Sequence, residues 1–253
     1  YSRLHGWSPA VVTAKPVTLG GIPGRVEATG QGVTHVTRLV TDSLGIDLAG
    51  ALVAIQGFGN VGVHTALGLA ALGAKVVAVS DVSATRYDAA GLDVARLAAA
   101  VDEGRLLADV DGGEQRHRDD LLAIECDILV PAAIGGVFDA TTAGQVLTRL
   151  VVEAANLPTL PDGDAVFAER GITVVPDILA NAGGVTVSYF EWAQNHSRLR
   201  WTRDEVTERL ERQLGDAWYA VHERATGDGV SLRDAAYLIA VERVAEATSL
   251  RGV

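Results

Sequence analysis

The sequence predicts an α/β protein whose core is a parallel, doubly wound sheet. Short apolar runs of strand length alternate along the chain with segments of helical periodicity, and this alternation is typical of parallel sheets that are covered on both faces. A glycine-rich turn joins one apolar run, residues 51–56, to the helix that follows it. A leading helix comes before the sheet, and further helices end the chain.

The elements are predicted in order from these patterns. The first thirty residues are rich in glycine, proline and threonine, which is typical of loops and turns. A helical stripe follows over residues 29–44, and Gly45 supplies its stop. Strands are predicted at residues 51–56, 75–79, 128–130, 150–153 and 172–175, with helices between them at residues 60–72, 92–101, 139–146 and 164–169. The final helices are predicted at residues 183–196, 202–223 and 231–248.

Composition excludes several classes of partner. The formal net charge of −11 would repel nucleic acid and anionic membranes, and the apolar runs are too short for a membrane span. The single cysteine, Cys126, cannot form an internal disulfide, which fits a reducing cytoplasm, and its apolar surroundings predict a core residue rather than a nucleophile. The six histidines are scattered without ligand spacing, so no metal site is expected.

The chain contains no methionine, although a translated chain normally begins with one. We therefore expect it to be a piece of a larger protein, whether natural or experimental, and the alternative is a processed chain.

The glycine-rich turn reads Gly57-Phe58-Gly59-Asn60-Val61-Gly62 and matches the pattern G-x-G-x-x-G. In its strand–turn–helix setting, this pattern predicts a Rossmann-type dinucleotide site. The first glycine permits the tight turn, the second lets the backbone approach a pyrophosphate, and the third lets helix and strand pack closely. The N-terminus of the helix adds free N–H groups and a partial positive charge. The alternative is a glycine-rich turn without a ligand.

Asp81 ends the next predicted strand and is placed to accept hydrogen bonds from the adenosine ribose, which would favour NAD over NADP. Asp81 could instead be a turn residue that caps the loop of Ser80 and Ser83. Arg86 lies nearby in sequence and could meet the 2′-phosphate of NADP, so the choice of cofactor stays open with NAD slightly favoured.

A second polar cluster follows the last predicted strand. Asn181 can both donate and accept, which suits a carboxamide such as that of nicotinamide. Two glycines and a helix come next, and on that helix Val185 and Ser188 share a face. Ser188 is therefore a candidate polar contact in an apolar wall, although its hydroxyl could equally bond back to its own helix.

Several segments together resemble glutamate dehydrogenases. They are Gly20-Gly21-Ile22-Pro23-Gly24-Arg25-Val26-Glu27-Ala28-Thr29-Gly30, the glycine-rich turn, Val152-Glu153-Ala154-Ala155-Asn156, and residues 176–192. They occur in the family's order and cover nearly the whole chain. Relatives that act on leucine, valine or phenylalanine share the Asn-Ala-Gly-Gly piece, but Ser188-Tyr189-Phe190-Glu191-Trp192 is similar to the glutamate branch.

The resemblance implies a role for each matching residue. Thr29 and Asn181 would contact the nicotinamide carboxamide, Asn156 the nicotinamide ribose, and Asp81 the adenosine ribose. Phe58, Gly59, Asn60 and Val61, between Gly57 and Gly62, would hold the pyrophosphate, and Ala132 and Ala133 would line the cofactor groove. Val185 and Ser188 would touch the substrate, with Ser188 on its side-chain carboxylate. The implied reaction converts L-glutamate to 2-oxoglutarate and ammonia, with hydride transfer to nicotinamide.

The chain also departs from the family. The catalytic lysines and aspartate of these enzymes lie in an N-terminal domain, whereas the lysines here are Lys15 and Lys75, and the glycine usual before the first is Ala14. We expect no catalytic residue in this chain, which alone would bind cofactor without turnover. The predicted units are an approach segment at residues 1–28, an NAD(P)-binding domain at 29–182, and a pivot helix with C-terminal helices at 183–253.

Other functions stay open. A non-catalytic nucleotide-binding or regulatory module, or a dehydrogenase of leucine, valine or phenylalanine, would carry the same cofactor motifs. A short-chain dehydrogenase is disfavoured because no tyrosine has a lysine four residues later. The family resemblance implies a hexameric full-length parent, and this chain alone would be a monomer or a weak dimer.

Overall fold

The computed structural model describes residues 1–252. The helices are α1 (Ser2–His5), α2 (Ala28–Leu44), α3 (Asn60–Ala71), α4 (Val94–Asp102), α5 (Ala140–Gln145), α6 (Pro161–Glu169), α7 (Asp177–Ala180), α8 (Gly183–Ser197), α9 (Arg203–Asp228) and α10 (Leu232–Arg251). The strands are β1 (Leu52–Gln56), β2 (Lys75–Ser80), β3 (Thr85–Tyr87), β4 (Glu114–Arg116), β5 (Ile128–Pro131), β6 (Leu150–Val152) and β7 (Thr173–Val175). Short 3₁₀ turns occupy Pro9–Val11, Val17–Leu19, Leu107–Asp109 and Arg118–Ala123. The predicted α/β fold class is confirmed.

The strands form one sheet in the order β4-β3-β2-β1-β5-β6-β7. The five strands from β2 to β7 in this order pair in parallel, as expected from their apolar runs. The strands β3 and β4 were not predicted, and they pair antiparallel at one edge. They are three residues each. β3 is largely buried but begins with Thr85 and Arg86, and β4 is largely exposed, so neither carries the apolar pattern that marks a buried strand.

The sheet separates two hydrophobic clusters. Along β1, Val53 and Ile55 belong to the larger cluster, which also contains residues of α2, α3, α8 and α9. Ala54 points to the opposite face and joins a smaller cluster built around Phe138 and Phe167, whose rings pack edge to face at 5.3 Å. This alternation is the two-residue period of a strand buried on both faces. Because the five central strands run parallel, the loops that follow them lie at one edge of the sheet.

A close helix contact fixes the start of α8. A Cβ atom at Gly183 would lie 2.3 Å from the carbonyl oxygen of Ala28, so only a glycine lets α8 begin against the first turn of α2. As a result, the N-terminal turns of the two helices lie side by side. Behind them, Trp218 of α9 is fully buried in the larger cluster.

The leading segment is attached to α8. The backbone N–H groups of Ala14 and Lys15 donate to the Glu191 carboxylate, which is completely buried, and the Lys15 ammonium forms an ion pair with it. The predicted loop therefore holds a defined course, although it also contains α1 and two 3₁₀ turns. Among residues 1–252, none of the helices combines the length and apolar character that a membrane crossing requires.

Candidate functional site

The glycine-rich turn connects β1 to α3 at the carboxyl edge of the sheet. Gly57 has a φ of 94°, a left-handed conformation that favours glycine, and its N–H donates to the Ser80 carbonyl at 2.9 Å. A Cβ atom at Gly62 would lie 1.8 Å from the Gly57 oxygen, so the helix can pack this close to the turn only with glycine there. The N–H groups of the first turn of α3 lack intrahelical acceptors and are available to an anion.

A groove of about 660 Å³ opens beside this turn. β1 lies between β2 and β5, so the strand order reverses at β1, and the groove opens at this point. Doubly wound sheets bind their ligands at such a reversal. Its walls come from the loops after β5 and β6 and from the N-terminal turns of α2, α3 and α8. The lining residues are Arg25, Thr29, Val61, Ala132, Ala133, Ile134, Gly135, Ala154, Ala155, Asn156, Asn181, Gly184, Val185 and Ser188.

Most of the residues predicted from the sequence meet in this groove. Thr29, Val61, Ala132, Ala133, Asn156, Asn181, Val185 and Ser188 all line it. The rest of the glycine-rich turn and Asp81 lie outside its lining. Phe58 is buried in the larger hydrophobic cluster, and the amide of Asn60 donates to the Val26 carbonyl at 2.7 Å, which ties the turn to the segment before α2.

Two amides are joined at one end of the groove. The Asn181 amide nitrogen donates to the Asn156 side-chain oxygen at 2.8 Å, and it also lies 3.3 Å from the Ala154 carbonyl oxygen. Asn156 follows β6 and Asn181 follows α7, so the pair bridges two adjacent segments at the carboxyl edge of the sheet. Each side chain restrains the other beside the groove.

Arg25 is a site residue that the sequence reasoning missed. Its Nε donates to the Ser188 hydroxyl at 2.8 Å, and Ser188 in turn donates to the Gly184 carbonyl at 3.0 Å. The sequence reasoning considered only lysines as cations for this site, and neither lysine lines the groove; the cation beside Ser188 is this arginine. Arg25 and Ser188 are 163 residues apart in sequence, and the only available signal was that Arg25 belongs to one of the segments that carry the family resemblance.

Asp81 holds a turn at the end of β2. Its carboxylate accepts hydrogen bonds from the N–H groups of Ser83 (2.7 Å), Ala84 (3.0 Å) and Leu107 (2.8 Å), and from the Ser83 hydroxyl. Partial burial acts to raise the pKa of Asp81, but these hydrogen bonds, led by that from Leu107, outweigh it and hold the pKa below its usual value. The turn interpretation of Asp81 thus has direct geometric support, and the contact with a ribose stays a prediction.

Arg86 is directed inward. It is almost fully buried, and its guanidinium donates to the carbonyls of Leu107 at 2.8 Å and Ala108 at 3.1 Å. The arginine therefore helps to hold the same 3₁₀ turn that Asp81 binds. In this conformation it does not present its charge to a 2′-phosphate.

The two lysines and the single cysteine lie outside the lining of the groove. Lys15 pairs with Glu191, and Lys75 lies exposed at the start of β2, so neither lysine lines the groove. Within residues 1–252, Arg25 is the only charged side chain that lines it. Burial raises the pKa of the Cys126 thiol to about 11, which agrees with the prediction of a core residue.

Comparisons with known proteins agree with this geometry. A sequence profile described as Glutamate/Leucine/Phenylalanine/Valine dehydrogenase matches residues 20–252. The chain is 47% identical to "Glutamate dehydrogenase" of Thermotoga maritima over 244 residues, 96% of this chain and 59% of that protein. It is also 47% identical to "NADP-specific glutamate dehydrogenase A1" of Halobacterium salinarum over 242 residues, 95% of this chain and 58% of that protein.

A solved structure shares the fold over the whole chain. The hetero-hexameric glutamate dehydrogenase from Thermus thermophilus, in a Leu-bound form, is 40% identical with a TM-score of 0.93, covering 100% of this chain and 60% of that one. This chain therefore spans about three fifths of the length of the relatives it matches. The resemblance inferred from the motifs is confirmed: the chain belongs to the glutamate, leucine, phenylalanine and valine dehydrogenase family.

Proposed function

We propose that this chain is the cofactor-binding part of an NAD(P)-dependent glutamate dehydrogenase, which converts L-glutamate to 2-oxoglutarate and ammonia. The observation that carries the proposal is the groove, which extends from Val61 in the first turn of α3 to the Arg25–Ser188 pair. One end offers N–H groups to a pyrophosphate, and the other offers a cation to a carboxylate. The glutamate dehydrogenase relatives support the choice of substrate over leucine, valine or phenylalanine.

The residues present fit a dinucleotide. A Cβ atom at Gly59 would meet nothing within 4 Å, so the backbone there is open to a pyrophosphate on the N-terminus of α3. Thr29 and Asn181 would hold the nicotinamide carboxamide, Asn156 the nicotinamide ribose, and the backbone at Ala132 and Ala133 the side of the groove. When bound, the nicotinamide ring would accept hydride from the substrate α-carbon.

The same site favours NAD slightly over NADP. Asp81 would lie near the adenosine ribose, and its negative charge would oppose a 2′-phosphate. Arg86 offers no compensating cation because its guanidinium is buried against the backbone. One relative is named as NADP-specific, so both cofactors belong in the test.

Arg25 and Ser188 would form the substrate side of the groove. The Ser188 hydroxyl proton is used by the Gly184 carbonyl, and its oxygen accepts from Arg25 Nε. A substrate carboxylate would therefore meet the outer nitrogens of Arg25 first, with Ser188 orienting the guanidinium. Val185 is 70% exposed at the edge of the groove and would contact the aliphatic part of the substrate.

This chain alone would bind the cofactor and turn over no glutamate. Deamination needs an acid–base group near the α-amine, and Arg25 is the only charged side chain lining the groove among residues 1–252. The full-length parent would supply that group from its additional domain and would assemble as a homo-oligomer, a hexamer. The isolated chain would be a monomer or a weak dimer.

Calorimetry on the isolated chain tests the proposal. NAD and NADP are titrated separately, and 2-oxoglutarate is then added to the chain saturated with the tighter cofactor. Binding of at least one dinucleotide is expected, as is weaker 2-oxoglutarate binding by Arg25→Gln. Arg118→Gln, at an exposed arginine outside the groove, is the control. A folded chain that binds neither cofactor contradicts the proposal, and glutamate-dependent cofactor reduction by this chain contradicts its expected inactivity.

A further inference from the structure

A partly buried ionic cluster lies behind the nicotinamide end of the groove. Arg233, in the first turn of α10, donates two hydrogen bonds to the Glu153 carboxylate, at 3.0 and 2.8 Å. It also donates to Asp164 of α6 at 2.7 Å, and it lies 3.9 Å from the Asp177 carboxylate. One guanidinium therefore serves three carboxylates, one of which, Glu153, is completely buried.

This cluster connects to the site through a chain of hydrogen bonds. Glu153 accepts from the Asp177 N–H at 2.9 Å, and the Asp177 carboxylate accepts from the Leu157 N–H at 2.7 Å. Leu157 has a φ of 47°, so the carboxylate holds a strained turn directly after Asn156. At the other end of α7, Asn181 donates to Asn156. The positions of both amides thus depend on the segments that Glu153 and Asp177 hold.

Arg233 itself does not line the groove. Its charge is required because Glu153 has lost all contact with water, and a buried carboxylate without a cation is strongly disfavoured. Burial acts to lower the pKa of Arg233, but its bonds to Glu153 and Asp164 raise that pKa above the usual range, so this side chain remains charged. No other cation pairs with Glu153 in the described part of the chain.

We propose that Arg233 is a positioning residue for the nicotinamide half of the dinucleotide, acting on Asn156 and Asn181 through Glu153 and Asp177. The inference rests on the proposed function, because it assigns the cluster to the cofactor end of that site. The proposal predicts different effects on the binding of the two halves of the dinucleotide. The adenylate half is held by the glycine-rich turn, which the cluster does not contact, and the nicotinamide half depends on the two amides.

The test compares two ligands on the same variants of this chain. The tighter-binding dinucleotide is titrated against its own adenylate half, which is ADP for NAD and ADP with a 2′-phosphate for NADP. Arg233→Gln should weaken the dinucleotide about tenfold, while its adenylate half changes by less than about twofold. Arg233→Lys keeps the charge but lacks the planar fork, so its loss should be smaller and again confined to the dinucleotide.

Arg224→Gln is the matched control. Arg224 of α9 also holds α10, through Glu242, and it pairs with Asp228 of its own helix, but these carboxylates are exposed and make no contact with the site segments. Both ligands should bind this variant as they bind the wild type. A loss of dinucleotide affinity in Arg224→Gln equal to that in Arg233→Gln would mean that any loosening of α10 suffices, and it would overturn the proposal.

A double-mutant cycle supplies a readout that a merely structural role would not move. If Arg233 acts through Asn156 and Asn181, Arg233→Gln should cost little further dinucleotide affinity in a background that carries both Asn156→Ala and Asn181→Ala. Additive losses, equal losses for dinucleotide and adenylate half, or unchanged binding by a folded variant would each overturn the proposal. If Arg233→Gln does not fold, Arg233→Lys decides by the same criteria. Failure of the wild type to bind any dinucleotide would instead refute the proposed function.

Discussion

The backbone at Gly59 offers a direct test of the phosphate site. Gly59 has φ −87° and ψ −161°, which any residue adopts, and a Cβ atom there would meet nothing within 4 Å. A valine therefore fits the free chain but fills the space in which a pyrophosphate would approach the N-terminus of α3. We expect Gly59→Val to fold normally and to lose dinucleotide affinity.

The size of the loss follows from the donors that become unreachable. The first turn of α3 presents N–H groups without intrahelical acceptors, and a hydrogen bond to a charged group contributes about 1.5 to 3 kcal/mol. Loss of two such bonds amounts to about 3 kcal/mol or more, which is a fall in affinity of about a hundredfold or more. The cost to folding is smaller, about 1 kcal/mol, because valine is a poor N-cap residue.

Calorimetry with NAD and NADP measures the affinity, and denaturant unfolding measures the stability. Gly144→Val is the matched control, because Gly144 is an exposed glycine in α5 that also has nothing within 4 Å of its Cβ position. The control should bind both cofactors with wild-type affinity. A folded Gly59→Val variant that also binds with wild-type affinity would refute the placement of the pyrophosphate at this turn.

Four further outcomes are expected. Asp81→Asn should lower the free energy of unfolding near neutral pH, because an amide nitrogen then faces the Leu107 N–H. Since the pKa of Asp81 is lowered in the folded state, the stability that its carboxylate contributes is present above the unfolded pKa and is lost as the pH falls through the folded pKa. The denaturant curves of wild type and variant should therefore converge in acid. The same variant should weaken NAD by about 1 to 3 kcal/mol and NADP less, and equal losses would leave Asp81 as a turn residue only. Ala14→Gly should raise the free energy of unfolding by about 0.5 to 1 kcal/mol, because Ala14 has φ 62°; a destabilised variant would contradict this. Cys126 should resist a thiol reagent at neutral pH until urea exposes it, because burial raises its pKa to about 11; rapid labelling of the folded chain would contradict this.

The central strands and long helices could be predicted because their burial imposes a pattern on the sequence. β1, β5 and β6 are covered on both faces, so their residues form continuous apolar runs. The strands β3 and β4 did not display this pattern, because β3 is largely buried through Thr85 and Arg86, which are polar, and the edge strand β4 is largely exposed. Similarly, α9 was expected to end at Glu223, yet the structure continues it to Asp228, where Gly229 adopts the left-handed conformation that stops a helix.

The candidate site divides in the same way. The glycine-rich turn is local, since its residues must satisfy the geometry of one tight connection, and the sequence displays that geometry directly. The pairs Arg25–Ser188 and Glu153–Arg233 join residues 163 and 80 positions apart. No periodicity or spacing rule relates such positions, so an arginine in either pair is indistinguishable in sequence from one on a solvated surface.

Ser188 shows what the fold adds to a local pattern. The helical spacing left two interpretations, a polar contact with the substrate or a hydroxyl bonded to its own helix. The structure shows the bond to the helix, because the Ser188 hydroxyl donates to the Gly184 carbonyl. This bond leaves the hydroxyl oxygen as an acceptor for Arg25 Nε. The two interpretations are therefore compatible: by giving its proton to the helix, Ser188 fixes the guanidinium at the groove, and the guanidinium is the group with the charge that a carboxylate requires.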